Sequence, residues 1–260
     1  MIAFVGVDGS YVVLTSFMTV GCLLILKVSQ SKNRIDVSTE IEDQKGLSQI
    51  YSNLVDGFKY VFTSQTISAV IVITIFMNLL LFPYMQMVTV VSKEVLNVGP
   101  LLMGILMASD GMGALIGSIG IASQDRMKYH GRIYLYGSLL SLGALFVFSS
   151  SSIYFISLVL LLFLGIGTSG FGTMQSTIVL LVSKPELRGR ALGVVTIAIG
   201  AGPIGSLIIG AVSEWIGSSS ALMINSVLGF ILVAASGVMM PSIRGQILPA
   251  TVSNQPTRSG

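Results

Sequence analysis

The sequence predicts an all-α fold, a polytopic membrane helix bundle with about seven transmembrane helices. Three observations carry that prediction. The 260 residues are 53% hydrophobic and only 10% charged, whereas water-soluble chains carry about 25% charged residues, and the mean hydropathy is +0.88. The apolar stretches run to roughly 20 residues, long enough to cross a bilayer as helices and too long for barrel strands. Finally, the 14 Lys and Arg residues are sorted by the gaps between those stretches in the manner of the positive-inside rule.

The expected spans are 10–26, 66–91, 101–122, 133–150, 153–182, 191–214 and 220–240. If alternate gaps face the cytoplasm, that side holds every Lys and Arg except Lys93. The N-terminus is then outside and the C-terminus cytoplasmic, in a cell (inner) membrane. The first gap, 27–65, is long. Its second part places Leu47, Ile50, Tyr51, Leu54, Val55, Phe58, Val61 and Phe62 at helical spacing, which predicts an amphipathic helix over 47–62, on the membrane surface or packed under the bundle. The other gaps are short, so successive helices are antiparallel neighbours. The stretch 241–260 is polar and is expected to be a disordered cytoplasmic tail.

Small residues recur inside the spans. Gly113 with Gly117, and Gly200, Gly202, Pro203 and Gly210 with Ser206 between them, are expected at helix–helix contacts. Pro83 and Pro203 are expected to kink their helices. Shifting the chain by 89 positions lays Gly104, Gly111 and Gly113 on Gly193, Gly200 and Gly202, and Met85-Gln86 on Met174-Gln175. Spans two to four then repeat as spans five to seven, an inverted three-plus-three repeat of the kind that builds secondary transporters.

Several features exclude function classes. Gly165-Ile166-Gly167-Thr168-Ser169-Gly170 fits a dinucleotide-binding fingerprint, but it lies inside an apolar span, without the strand and soluble unit that fingerprint needs. The net charge of +3 belongs to topology and not to nucleic-acid binding. One histidine, His130, and one cysteine, Cys22, make no metal site, and no nucleophile has a base, so neither catalysis, metal nor cofactor is expected. No Walker lysine motif offers ATP as direct energy source.

Asp110 is the costliest residue of the chain, a carboxyl halfway along a span. Such residues mark functional sites, and a group that can take and release a proton at that depth is a candidate proton carrier. A carboxyl without any coupling role is the competing reading. Asn78, Gln86, Gln175 and Asn225 are uncharged polar residues in the spans, open to two readings: lining of a substrate path, or interhelical hydrogen bonds.

The loops resemble those of the major facilitator superfamily. Asp125-Arg126 followed by Gly131-Arg132 resembles its loop between helices eight and nine. Pro185-Glu186-Leu187-Arg188-Gly189-Arg190 resembles its approach to helix eleven, and Asp56-Gly57-Phe58-Lys59-Tyr60-Val61 its entry to helix seven. Gly200-Ala201-Gly202-Pro203-Ile204-Gly205 is similar to its helix-eleven glycine-proline stretch, which is related to a motif of antiporters. Together these resemble the enterobactin-exporter and drug-efflux branch.

The resemblance implies helices six to twelve of a twelve-helix fold: 1–26 as the last helix of an N-terminal half, 27–65 as the central cytoplasmic linker, and 66–240 as the six-helix C-terminal half. It implies proton-coupled efflux of a small molecule, siderophore or drug-like, by alternating access, with protons, the lipid bilayer and either a missing N-terminal half or a homodimer mate as partners. Asp125, Arg126, Arg132, Arg188 and Arg190 become candidates for a cytoplasmic gate, against the simpler reading that they only set topology. The alternatives are a seven-helix membrane receptor, and an inactive truncated transporter fragment.

Overall fold

The computed structural model describes residues 12, 15, 16, 18–22, 57, 59–124, 127 and 129–246. The chain divides into two units, Met1–Gly46 and Leu47–Gly260. In the first, the described residues are helical, and the hydroxyls of Ser16 and Thr19 donate to the Val12 and Thr15 carbonyls at 2.8 Å. They fall within the expected span 10–26. Most of the linker and of the predicted helix over 47–62 lies outside the described residues; Gly57 and Lys59–Thr63, at its C-terminal end, are helical.

The regular elements among the described residues of the second unit are helical: α1 (Gln65–Phe76), a π-helical segment (Met77–Leu81), α2 (Tyr84–Glu94), α3 (Pro100–Ala122), α4 (His130–Ser149), α5 (Tyr154–Val182), α6 (Arg188–Ile199), α7 (Gly202–Ile216) and α8 (Ser218–Met239). Among the described residues six stretches are long and apolar enough to cross a membrane: Gln65–Glu94, Pro100–Ala122, His130–Ser149, Tyr154–Val182, Pro185–Ile216 and Ser218–Met239. These are the last six expected spans. Arg132, Arg188 and Arg190 lie in first helical turns and Lys93 in a last turn, rather than in loops. Long cationic side chains reach water from a helix end, so the helix continues past the point where the apolar run stops.

The element ends follow from local chemistry. Ser64 caps α1, its hydroxyl accepting from Ile67 N at 3.5 Å. Pro100, after Gly99, opens α3 in the first turn, where a missing N–H costs nothing. Asn97, with φ 50°, sits in the α2–α3 turn, and Gly217, with φ 85°, joins α7 to α8 without the penalty a side chain would bring there.

Both prolines expected to kink break their helices outright. Pro83 ends the π-helical segment, since it has no N–H for the Leu79 carbonyl, and α2 starts at the next residue. The span Pro185–Ile216 is broken at Gly200-Ala201, one residue before Gly202-Pro203 begins α7. The two breaks meet: a Cβ on Gly205 would strike the Leu79 carbonyl, and its carbon would lie only 2.8 Å away.

α5 is the centre of the bundle, packed on α3 along one side and on α4 along the other. Reciprocally, α1 and the π-helical segment pack on α6, α7 and α8, while α4 and α8 pack on each other. The middle and last helices of each expected copy thus lie on the first helix of the other, the pairing that inverted repeats produce.

The rejected fingerprint of α5 now has a structural meaning. Gly165 faces α3, where a Cβ would strike the Asp110 carbonyl and lie 2.8 Å from Ala114 N. Gly167 faces α4, where a Cβ would lie 2.5 Å from the Gly137 carbonyl. Gly113 and Gly117 supply the reverse contact onto Leu162, Ile166 and Ser169 of α5. Gly202 faces Asn78, whose Oδ1 would lie 3.8 Å from an added Cβ, with Pro203 beside it at the helix break. Gly210 and Gly200 depart from expectation. Gly210 has open space, because α7 turns Gly205 and Ile209 to the core instead, and Gly200 meets only its own turn.

The stretch expected to be a disordered tail is ordered where it begins. Pro241–Arg244 forms a 3-10 turn, Ile243 is fully buried, and Arg132 Nε donates to the Arg244 carbonyl at 3.0 Å. An apolar residue two positions beyond Pro241 closes over Gly131 of α4, a contact that polar composition around it conceals.

Candidate functional site in the α2–α3 cleft

Asp110 stands half-buried at the middle of α3. Its Oδ2 accepts a hydrogen bond from Tyr84 Oη at 2.7 Å. Its Oδ1 is buried and has no hydrogen-bond partner. Tyr84 is the first residue of α2, directly after Pro83, and is itself buried. The two side chains, with Met85, Val88, Met107 and Leu161, line a cavity of about 70 Å³. That is room for water beside the unpartnered carboxyl oxygen. Gly165 fixes the other side of α3, because only a glycine lets α5 approach the Asp110 backbone this closely.

α2 and α3 are joined by the turn that holds Asn97. A larger cleft of about 600 Å³ opens between them, lined by Thr89, Val90, Lys93 and Glu94 of α2, then Val98, Pro100 and Met103. Ser218 Oγ, at the start of α8, donates to Glu94 Oε2 at 3.4 Å.

A second polar cluster ties three helices together. Gln175 Nε2 (α5) donates to Thr74 Oγ1 (α1) at 2.7 Å, and Thr74 Oγ1 and Tyr134 Oη (α4) are 3.0 Å apart. Tyr134 Oη also donates to the Val70 carbonyl at 2.9 Å. The Tyr134 ring stacks on Phe171 at 5.2 Å, and Phe171 meets Phe82 at 5.8 Å. Asn78 Nδ2 donates to the Thr74 carbonyl at 2.9 Å, and Asn225 Nδ2 to the Leu80 carbonyl at 3.5 Å.

Residues 1–255 match the family model for transmembrane secretion effectors of the major facilitator superfamily. The chain belongs to that family. Among the curated proteins it has no match. As a superfamily member with a multi-pass helical bundle, the chain is a membrane transporter.

Within this transporter the sequence candidates fall into distinct groups. Asn78, Gln175 and Asn225, weighed as substrate-path residues, are buried with their amides engaged by neighbouring backbone or hydroxyl groups. Gln175 and Asn225 thereby bond to other helices, whereas Asn78 bonds one turn back within its own span. Gln86 is exposed on α2, its carbonyl accepting from Thr89 Oγ1 at 2.6 Å. Asp125 and Arg126 lie outside the described residues. Arg132 lies over the Tyr129 ring at 4.2 Å and holds the C-terminal turn. Arg188 Nε is buried without a partner, and the Arg190 carbonyl lies 3.3 Å from where a Cβ on Gly57 would sit. Among the described residues, no group of His, Cys, Asp and Glu is placed to hold a metal.

Sequence reasoning missed Tyr84, Thr74 and Tyr134, which count as ordinary span residues. Tyr84 had a readable signal. It stands as many residues before Asn97 as Asp110 stands after it, so an antiparallel hairpin turning at Asn97 puts both at one depth. A carboxyl within a span needs a donor, and Tyr84 is at the right level to provide it.

Proposed function

We propose that this transporter exports a small molecule, siderophore-like or drug-like, in exchange for protons by alternating access, with Asp110 as the proton carrier. The observation that supports this reading is the Asp110 carboxyl itself. One oxygen is held by Tyr84, while the other is buried without a partner beside a small cavity. A carboxyl at this depth costs a few kcal/mol on insertion scales, and a group kept at that cost earns a role in coupling.

Proton binding from one face and release to the other returns the carrier for its next cycle, so the proton gradient drives export without ATP. The path needs a second wall facing the exposed side of α3, on which Leu101, Ile105, Met112 and Leu115 have no covering partner in this unit. We assign that wall to a further helical half or to a second copy of the chain. The orientation is the one given by the positive-inside rule, with the chain in the cell membrane, its N-terminus outside and C-terminus cytoplasmic.

The test is counterflow in liposomes containing the purified protein and a trapped pH-sensitive dye. With ethidium and a catecholate siderophore as probes, a substrate gradient is expected to drive protons the opposite way, and a proton gradient to concentrate the probe. Movement of both probes that ignores an imposed pH difference overturns proton exchange. Orientation has its own check. With Cys22 replaced by Ser, a cysteine at Val98 is expected to react with an impermeant maleimide in intact cells. Cysteines at Gln124 and Lys184 are expected to react only after the cells are opened. Labelling of all three in intact cells contradicts the topology.

A further inference from the structure

We propose that Tyr84 is the positioning residue that converts the protonation state of Asp110 into movement of α2 against α3. The inference rests on the proton-carrier reading of Asp110 and adds to it the element that moves. Three observations carry it. Tyr84 Oη donates to Asp110 Oδ2 at 2.7 Å, while α2 and α3 otherwise touch little. Two cavities lie along this helix pair, one of about 70 Å³ at the bond and a separate one of about 600 Å³ nearer the turn, reaching Lys93 and Val98. The bond is therefore a side-chain link that holds α2 to α3 beside those spaces. Lastly, Tyr84 immediately follows Pro83 and the π-helical segment, where the helix ladder of the span is already broken. Helices bend at such positions, so α2 has a hinge at the very residue that carries the hydroxyl.

Charge decides the strength of the clasp. A hydroxyl donating to an ionised carboxylate makes a bond roughly twice as strong as one to a neutral acceptor. When Oδ1 takes a proton, Asp110 becomes neutral and its grip on Tyr84 weakens. α2 then moves away from α3 about Pro83. Loss of the proton restores the charge and draws Tyr84 back. No other ionisable side chain among the described residues lines the cavity at the bond. Lys93 and Glu94 stand at the far mouth of the cleft. On α5, the helix packed behind α3, Tyr154 Oη donates to the Leu102 carbonyl at 2.9 Å, away from Asp110.

The test needs no knowledge of the substrate. In the full chain carrying Cys22→Ser, spin labels at Thr89→Cys on α2 and Leu101→Cys on α3 report the separation of the two helices. The distance is read at about pH 8 and at about pH 5, on either side of neutrality. It is expected to lengthen and broaden at the lower pH. With Tyr84→Phe added, the long distribution is expected at both pH values; with Asp110→Asn added, a single distribution at both. If Tyr84→Phe retains the pH response while Asp110→Asn abolishes it, the clasp is overturned and Asp110 remains the proton-sensing group. If Asp110→Asn retains the response, the proton-carrier reading fails with it. A background protein whose distance ignores pH overturns the clasp directly. The conservative Tyr84→Phe variant removes one oxygen from a buried ring, and its elution as a monodisperse species in detergent shows that the comparison is between folded proteins.

Discussion

Asp110→Asn is expected to abolish proton coupling while the bundle stays folded. The substitution is nearly isosteric and keeps an amide oxygen that can accept from Tyr84 Oη, so the variant stands in for the neutral carboxyl with its weaker contact to α2. Proton binding is lost. An amide has no accessible titration, so the protons moved per substrate are expected to fall from about one to none. In the counterflow assay the variant should let substrate equilibrate at most, with no dependence on an imposed pH difference. Insertion and folding should hold, because a neutral amide costs less than a carboxylate at the centre of a span. Wild-type concentrative transport in this variant would remove Asp110 from the mechanism. Protein lost before reaching the membrane would instead point to a structural duty for the carboxylate.

The bundle was largely legible because lipid leaves few options. Every backbone group within a span must be paired internally, so an apolar run of the right length is a helix, and short gaps make neighbours antiparallel. Six expected spans recur among the described residues within a few positions at each end. What hydropathy does not contain is interruption. Gln65–Glu94 and Pro185–Ile216 each read as one unbroken run, yet each is two helices joined at a break beside Pro83 or before Pro203. The prolines signalled a kink; that the two breaks would pack on each other through Gly205 and Leu79 depends on the tertiary fold.

The site was half legible for a related reason. Asp110 stood out because charge in a span is costly whatever surrounds it. Tyr84, Thr74 and Tyr134 carry no such cost as isolated residues, and their meaning comes from the partner across the interface. The same holds for the amides. Asn78, Gln175 and Asn225 looked alike in sequence to Gln86, but the first three are buried against other helices and Gln86 is exposed. Polarity alone cannot distinguish a tie from a lining residue, because both need a hydrogen-bonding group in an apolar run. The glycines divide likewise: spacing marked Gly113 and Gly210 equally, and only the facing helix separates a contact from open space.

That distinction yields a matched pair on α5. Gly165→Ala is expected to destabilise the folded protein strongly, while Gly172→Ala on the same helix leaves stability unchanged or raises it. Intrinsic helix propensity favours both substitutions, by up to about 1 kcal/mol each, so propensity cannot produce opposite signs. Packing can. At Gly172 an added Cβ meets nothing within 4 Å. At Gly165 it strikes the Asp110 carbonyl and approaches Ala114 N to 2.8 Å, both backbone atoms of α3 that cannot rotate away. The helices must separate, and overpacking of this kind costs roughly 1–3 kcal/mol or more. The separation would also move the Asp110 backbone relative to Tyr84, so the expected loss extends to coupled transport in whatever protein still folds. Thermal unfolding in detergent, followed by tryptophan fluorescence or by loss of the monodisperse elution peak, reads the first effect. Equal melting temperatures for the two variants would show that α3 and α5 do not meet through Gly165 as the structure places them.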